Sequence, residues 1–366
     1  MIMGRKGIRL CFTSIIIIGA MVIFGQLNGM PRMTLVNNLQ LSLLEYKARV
    51  NVEPTTTPRK RGPSKVLILT YMRSGSSLTG DILQQSPGAF YVYEPIHNIR
   101  WHDKTENWTY PDAPTKLVTP ETIHKERVDV LYRLLTCDLM NVPDRVLEDG
   151  FLGRGFLTKE LQPCVKAAKQ NHNKTEGTRA CIQDLQNACQ ASPLRVLKTI
   201  RFSMEQARNL SVLIPDLKII HLVRDPRATL KSQNYLGECN GVARQQCVER
   251  FCALVEDDIV KADLISKSDR NRIFTLKYER LAKSPIQVSK ELYEFVDGSF
   301  TKQVEEYIFN ITSAGRKDDC IICTTRGNST KLVNEWKKTM NKDFVKEIQN
   351  RCNYLLKRFR YEIISL

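Results

Sequence analysis

Two apolar, β-leaning runs each end in a basic turn that opens an amphipathic helix, and that repetition leaves few folds open to the chain. The first is Val66-Leu-Ile-Leu69, followed by Arg73-Ser74-Gly75-Ser76-Ser77, with Leu78, Ile82 and Leu83 at helical spacing beyond it. The second is Lys218 to Val223, followed by Arg224-Asp225-Pro226-Arg227, with Ser232 two helical turns further on. A strand, a small-residue turn and a helix make the geometry that grips phosphate. N–H groups at the helix start point outward, the helix dipole favours anions, and Gly75 admits close backbone approach. Ser76 and Ser77 add hydroxyl donors, while Arg73 and Arg224 add planar forks for oxyanions. The pattern G-x-x-x-x-G-K-[ST] is absent here, so the cradle is of another kind. Either turn alone is equally an ordinary strand–turn–helix with capping serines. Two of them in one sheet suggest a ligand phosphorylated at both ends.

The runs between them alternate strand with helix. Strands are expected at Phe90–Tyr93, Arg195–Ile200 and Arg272–Lys277, besides the two above. Thr119-Pro120-Glu121 starts a helix that turns Ile123, Val130, Leu131, Leu134, Leu135 and Leu139 inward. A long helix from about Gln246 to Ile265 carries Phe251, Val255, Ile259 and Ala262 on one face, and another lies around Val288 to Phe295. Apolar residues at 336, 340, 344, 348, 352 and 356 predict an amphipathic helix in the tail. The fold class is therefore α/β, with a mainly parallel central sheet flanked by helices. Ligands in such a sheet bind beyond the carboxyl ends of the strands.

Compartment narrows the function. Leu10 to Leu27 is apolar apart from Thr13, Ser14, Gly19, Gly25 and Gln26, near the ~20 residues that a bilayer span needs. Arg5, Lys6 and Arg9 precede it, which places residues 1–9 in the cytoplasm and the bulk of the chain across the membrane. A cleaved signal peptide is the rival reading; the run is longer than a signal core, which favours an N-terminal transmembrane anchor. Residues 28–64 read as a stem, ending in a Pro/Thr/basic stretch that cannot bury a core. Five Asn-x-Ser/Thr sequons, at Asn107, Asn173, Asn209, Asn310 and Asn328, agree with a lumenal location. Of the eleven cysteines, Cys11 lies in the apolar run and the others form an even set suited to disulfides. The 55 Lys+Arg against 39 Asp+Glu imply polyanionic partners, and the compartment removes nucleic acid from that list.

The motifs resemble those of a known family. Tyr71-Met-Arg-Ser-Gly-Ser-Ser77 is similar to the 5′-phosphosulfate loop of sulfotransferases, and Leu222-Val-Arg-Asp-Pro-Arg-Ala228 with Ser232 to their 3′-phosphate motif. Tyr93-Glu94-Pro95, Leu197-Lys198-Thr199-Ile200-Arg201, Lys277-Tyr278-Glu279-Arg280-Leu281 and the series Trp336, Cys352, Tyr361 fit the Golgi carbohydrate 6-O-sulfotransferases that act on galactose, N-acetylgalactosamine or N-acetylglucosamine. Leu78 departs from the aromatic residue often found there, and Gln233 from an arginine. The resemblance implies a P-loop-like sulfotransferase domain over residues 65–366, held in the Golgi membrane as a single-pass type II protein. The implied donor is 3′-phosphoadenosine-5′-phosphosulfate, which leaves as 3′,5′-ADP, with a glycan of a glycoprotein or glycosaminoglycan as acceptor.

On that resemblance Arg73, Ser74, Gly75, Ser76, Ser77, Leu78 and Thr79 would hold one end of the donor, and Arg224, Asp225, Pro226, Arg227 and Ser232 the other. Glu94 is the candidate base for the attacking hydroxyl, with His97 and His102 behind it; the competing reading is a structural carboxylate paired with an arginine. Lys198 and Arg201 would bind sulfuryl oxygens or acceptor, or else form salt bridges. No metal is required. Cys320-Ile-Ile-Cys323 reads as a structural pair. A lumenal nucleotide-dependent kinase and a non-catalytic glycan-binding relative are the other classes; the first should show metal-binding carboxylates beside the loop, for which Asp81 alone is poor support. Acceptor sugar, homo-oligomerisation and sequon occupancy stay open.

Overall fold

The computed structural model describes residues 62–365 except 100–103, 171–173, 238, 240–242 and 316–323. The expected cytoplasmic tail, apolar anchor and nearly all of the stem lie outside the described residues, as do Cys320 and Cys323. Among the described residues no helix is long and apolar enough to cross a membrane.

Five parallel strands form the central sheet in the order β2-β5-β1-β6-β7: Phe90–Tyr93, Leu194–Thr199, Ser64–Thr70, Leu217–Val223 and Ile273–Lys277. β1 is the middle strand, paired in register from Lys65 opposite Leu217 on one side and Arg195 on the other. Its residues are apolar without alternation because both faces are covered. Leu67 and Leu69 join one core with Phe90, Val92, Leu197 and Ile219, and Val66 and Ile68 join the other with Tyr91, Val196, Ile220 and Leu222. The first core is closed by α2 (Ile123–Thr136) and α5 (Met204–Leu213); the second by α1 (Ser76–Leu83) and α9 (Pro285–Phe295). The chain leaves β1 toward β2 and β5, then crosses to β6 and β7 on the other side. The carboxyl end of β1 is thus the topological switch point.

All five expected strands are present, each within a residue or two of its expected ends. The helix after Thr119 stops one turn early. Cys137 takes a left-handed conformation (φ 61°) and is disulfide-bonded to Cys189, so Leu139 is buried from a following 3-10 turn instead. A small antiparallel hairpin, β3 (Glu106–Trp108) with β4 (Lys116–Val118), was not expected. The polar excursion from Gly150 to Ser192 contains two helices, α3 (Leu161–Ala168) and α4 (Lys174–Ala191), stapled by Cys164–Cys181.

The tail differs from the single helix its spacing predicts. It forms α11 (Glu335–Thr339), α12 (Lys342–Arg351) and α13 (Asn353–Arg358). Met340 is extended, and the Asn341 side chain accepts from the Phe344 N–H at the start of α12. That local bond offers the backbone an alternative to a continuous helix. Trp336, Phe344, Ile348, Cys352 and Leu356 are buried all the same, and Cys352 is disulfide-bonded to Cys252 of α7 (Arg244–Ser268). Between β6 and α7 lies α6 (Pro226–Tyr235), between β7 and α9 lies α8 (Tyr278–Lys283), and α9 is followed by α10 (Lys302–Thr312).

Candidate active site

The switch point opens into a cavity of about 310 Å³. One wall is the β1–α1 turn. Gly75 (φ 91°) caps α1 from the left-handed region, and a Cβ there would meet the Tyr278 ring at 2.2 Å. Conformation and space therefore each demand glycine. Arg73 is also left-handed (φ 68°), a conformation costly for a side chain of its size. Ser76, Ser77 and Leu78, in the first turn of α1, line the cavity, and helix geometry leaves their N–H groups without an intrahelical partner.

The β6–α6 turn meets this wall through its arginine. Arg224 Nη1 donates to the Arg73 carbonyl oxygen at 2.8 Å, and Arg73 Nε donates to Ser232 Oγ at 2.9 Å. The Arg224 guanidinium lies 4.5 Å from the centre of the Tyr278 ring. Arg224 Nε and Ser74 Oγ are buried with no hydrogen-bond partner among the described residues. Burial, with Arg224 and Arg326 nearby, pulls the Arg73 pKa below its ordinary value, so the loop favours an anion that would offset the clustered charge.

The opposite wall comes from the ends of β2 and β5. Glu94 is left-handed (φ 51°) and 2% exposed. Its Oε1 accepts from Lys198 Nζ at 2.5 Å, its Oε2 from Arg201 Nη1 at 2.8 Å, and the Ile200 N–H reaches both oxygens. Lys198 Nζ also sits 4.2 Å from the centre of the Tyr93 ring, whose hydroxyl is 3.4 Å from Ser77 Oγ. Glu94, Lys198 and Arg201 all line the cavity.

Of the residues proposed from sequence, Arg73, Gly75, Ser76, Ser77, Leu78 and Arg224 line the cavity as well. Ser232 touches it through Arg73. Thr79, within α1, is fully buried and does not line the cavity. Asp225, Pro226 and Arg227 do not line the cavity. Asp225 caps α6, accepting from the Arg227 N–H, and binds the Arg227 side chain. His97 is off the lining and pairs with Asp149 at 3.1 Å; His102 lies outside the described residues. Lining residues outside the motifs include Phe151, Arg154, Thr324 and Arg326. Phe151 and Arg154 come from a 3-10 turn (Gly150–Arg154), whose sequence carries no anion-binding pattern.

Beneath the first turn is a buried polar relay. The Tyr71 hydroxyl is 2.9 Å from His221 Nε2 and donates to Asp258 Oδ2 at 3.0 Å, while Asp258 Oδ1 accepts from the Met204 N–H. Burial pushes Asp258 up to about 6 and His221 down to about 4. No group of three or more metal-ligating side chains occurs among the described residues.

Fold and cleft define an α/β protein with an anion-cradling loop at the switch point of a parallel sheet. Residues 63–360 match the family described as "Sulfotransferase domain", and the chain belongs to that family. It is 25% identical to mouse (Mus musculus) carbohydrate sulfotransferase 3, across 89% of this chain and 76% of that one. It is 28% identical to mouse carbohydrate sulfotransferase 5, across 82% and 81%. Among solved structures, the sulfotransferase domain from the Synechococcus PCC 7002 olefin synthase is 17% identical, with a TM-score of 0.49, covering 85% of this chain and all of that one.

Proposed function

We propose that this sulfotransferase moves a sulfuryl group from 3′-phosphoadenosine-5′-phosphosulfate to a sugar hydroxyl, the 6-hydroxyl by preference. The observation that carries the reading is the meeting of Arg73 and Arg224 on one side of a single cleft, with Glu94 on the other. The donor supplies an activated sulfuryl group and a charged nucleotide leaving group. The α1 N–H groups, Ser76, Ser77 and Arg73 hold its phosphosulfate end and stabilise the negative charge that builds on the bridging oxygen. Arg224 and Ser232 hold the other end.

Glu94 accepts the proton of the attacking hydroxyl. A carboxylate has about four lone-pair sites. On Glu94, Lys198 and Arg201 each take one, and the single Ile200 N–H proton is shared between both oxygens at 3.2 and 3.4 Å, so an incoming hydroxyl competes only with that long contact. The two cations fix the carboxylate and stand ready to bind sulfuryl oxygens, so no metal is needed for charge neutralisation. The apolar anchor and the sequons support a Golgi-lumenal enzyme, single-pass and type II, working on the glycans of glycoproteins or glycosaminoglycans.

Glu94→Gln tests the chemistry. Donor binding should persist while turnover falls about 10²–10⁴-fold, the range for losing a general base. Near-normal turnover would reassign the base. For the lumenal portion, labelled glycan from sulfur-labelled donor without added metal supports the enzyme. ATP-dependent labelling supports a kinase, and binding without transfer a glycan-binding protein.

A further inference from the structure

The cavity holds six cationic side chains (Arg73, Arg154, Lys198, Arg201, Arg224 and Arg326) and one carboxylate among its described lining. Lys198 and Arg201 are both bonded to that carboxylate, Glu94. Arg73 and Arg224 are joined at the donor loops, and Arg326 is near enough to lower the Arg73 pKa. Arg154 stands apart. It makes no ion pair among the described residues and sits instead 4.6 Å from the centre of the Tyr93 ring and 5.9 Å from that of Phe151. The acid that acts on it through space is Asp81, which is bonded to Gln84 and whose pKa burial raises, weakening its hold on charge.

A doubly phosphorylated sulfuryl donor carries roughly four negative charges. The donor loops and the Glu94 cluster can meet that charge without Arg154. A guanidinium stacked on aromatic faces keeps its in-plane donors free, and these fit a carboxylate or sulfate bidentately.

Resting on the sulfotransferase reading above, we infer that Arg154 selects the acceptor. It takes a glycan bearing a uronate carboxylate on the residue next to the sugar that is sulfated. Tyr93 and Phe151 hold the guanidinium in place.

The test uses a polymer alternating hexuronate with N-acetylhexosamine, and the same polymer with its carboxyl groups reduced to alcohols. The full chain should favour the charged polymer in kcat/KM, and added salt should erode the preference. Arg154→Ala should shrink the ratio of charged to reduced polymer about tenfold, through the KM of the charged one. Arg154→Lys, which keeps the charge without the planar fork, should restore only part of that ratio. Binding of 3′,5′-ADP, measured by calorimetry, reports that each variant is folded with its donor loops intact. Equal use of the two polymers by the wild type, or an unchanged ratio in Arg154→Ala, overturns the inference. Failure to sulfate any glycan while the nucleotide still binds would instead overturn the sulfotransferase reading.

Discussion

At the end of β1 the chain turns through Arg73 and Gly75, both left-handed, and presents its backbone to the cleft. At the end of β6 it turns through Asp225 and Pro226 and presents mainly Arg224, because the rest of that turn is bound inward. Arg227, 1% exposed, donates to Asp225, to Gln349 Oε1 and to the Glu362 carbonyl oxygen, and its guanidinium lies 4.4 Å from the centre of the Trp336 ring. Both turns read as strand, arginine, polar turn, helix. One is shaped by glycine and strain; the other is closed by an internal ion pair and tied to the tail by hydrogen bonds. A shared local pattern therefore marks where ligand-binding turns lie without saying which of their residues face the ligand.

The two arginines of the second turn separate these roles most sharply. Arg227→Ala leaves Asp225 buried without its partner, which costs about 3–5 kcal/mol for pairs of this kind. The expected outcome is a large fall in the denaturation midpoint. Arg224→Ala should leave that midpoint nearly in place and weaken nucleotide binding about 10- to 100-fold, the loss of charge-assisted bonds worth ~1.5–3 kcal/mol. Equal loss of stability in both variants would erase the contrast between an anchoring and a presenting arginine.

The floor of the first turn makes a smaller prediction, read against pH. Asp258 titrates near 6 in the fold against an ordinary 3.8, so the fold favours its protonated form. Its contribution to stability is present below about 3.8 and is lost as pH rises through 6. His221 titrates near 4 against 6.5, so its contribution is present above 6.5 and is lost as pH falls through 4. The two oppose each other between pH 4 and 6. Asp258→Asn removes one side. Relative to the wild type, its unfolding free energy from denaturant titration should improve by about 1–3 kcal/mol as pH is raised from 4 to 7. A difference that stays flat with pH would place Asp258 outside the titration.

The sheet was legible because β1 and β6 are apolar on both faces, a pattern that buried parallel strands show and amphipathic helices do not. The cradle was legible for a related reason: Gly75 and the serines are local features. What escaped were properties of assembly. Arg154 reaches the cleft only because the 3-10 turn packs against β2, and nothing near residue 154 in the sequence announces it. Glu94 was visible as a strand-end carboxylate. Its double clamp by Lys198 and Arg201 depended on β5 lying beside β2, which pairing alone decides. The tail's periodicity picked out five buried residues and a half-buried Met340, yet Asn341 broke the single helix that periodicity implied.

The finest division between the two turns concerns how the second is held at its N–H. Glu279 Oε1 accepts from the Asp225 N–H at 2.8 Å, and its Oε2 accepts from the Tyr361 hydroxyl at 2.9 Å. Lys277 Nζ lies 4.3 Å from the centre of the Tyr361 ring and donates to the Phe359 carbonyl oxygen. The tail thus steadies the arginine turn through a carboxylate that never reaches the cleft. Tyr361→Phe removes one neutral donor from that carboxylate and keeps the ring. A bond of this type is worth about 0.5–1.5 kcal/mol, so donor KM should rise about two- to tenfold while kcat at saturating donor and the affinity for acceptor stay close to the wild type. The same substitution should spare the first turn, which has no contact with Tyr361. A change in acceptor KM of the same size would mean that the tail steadies the whole cleft rather than one of its two turns.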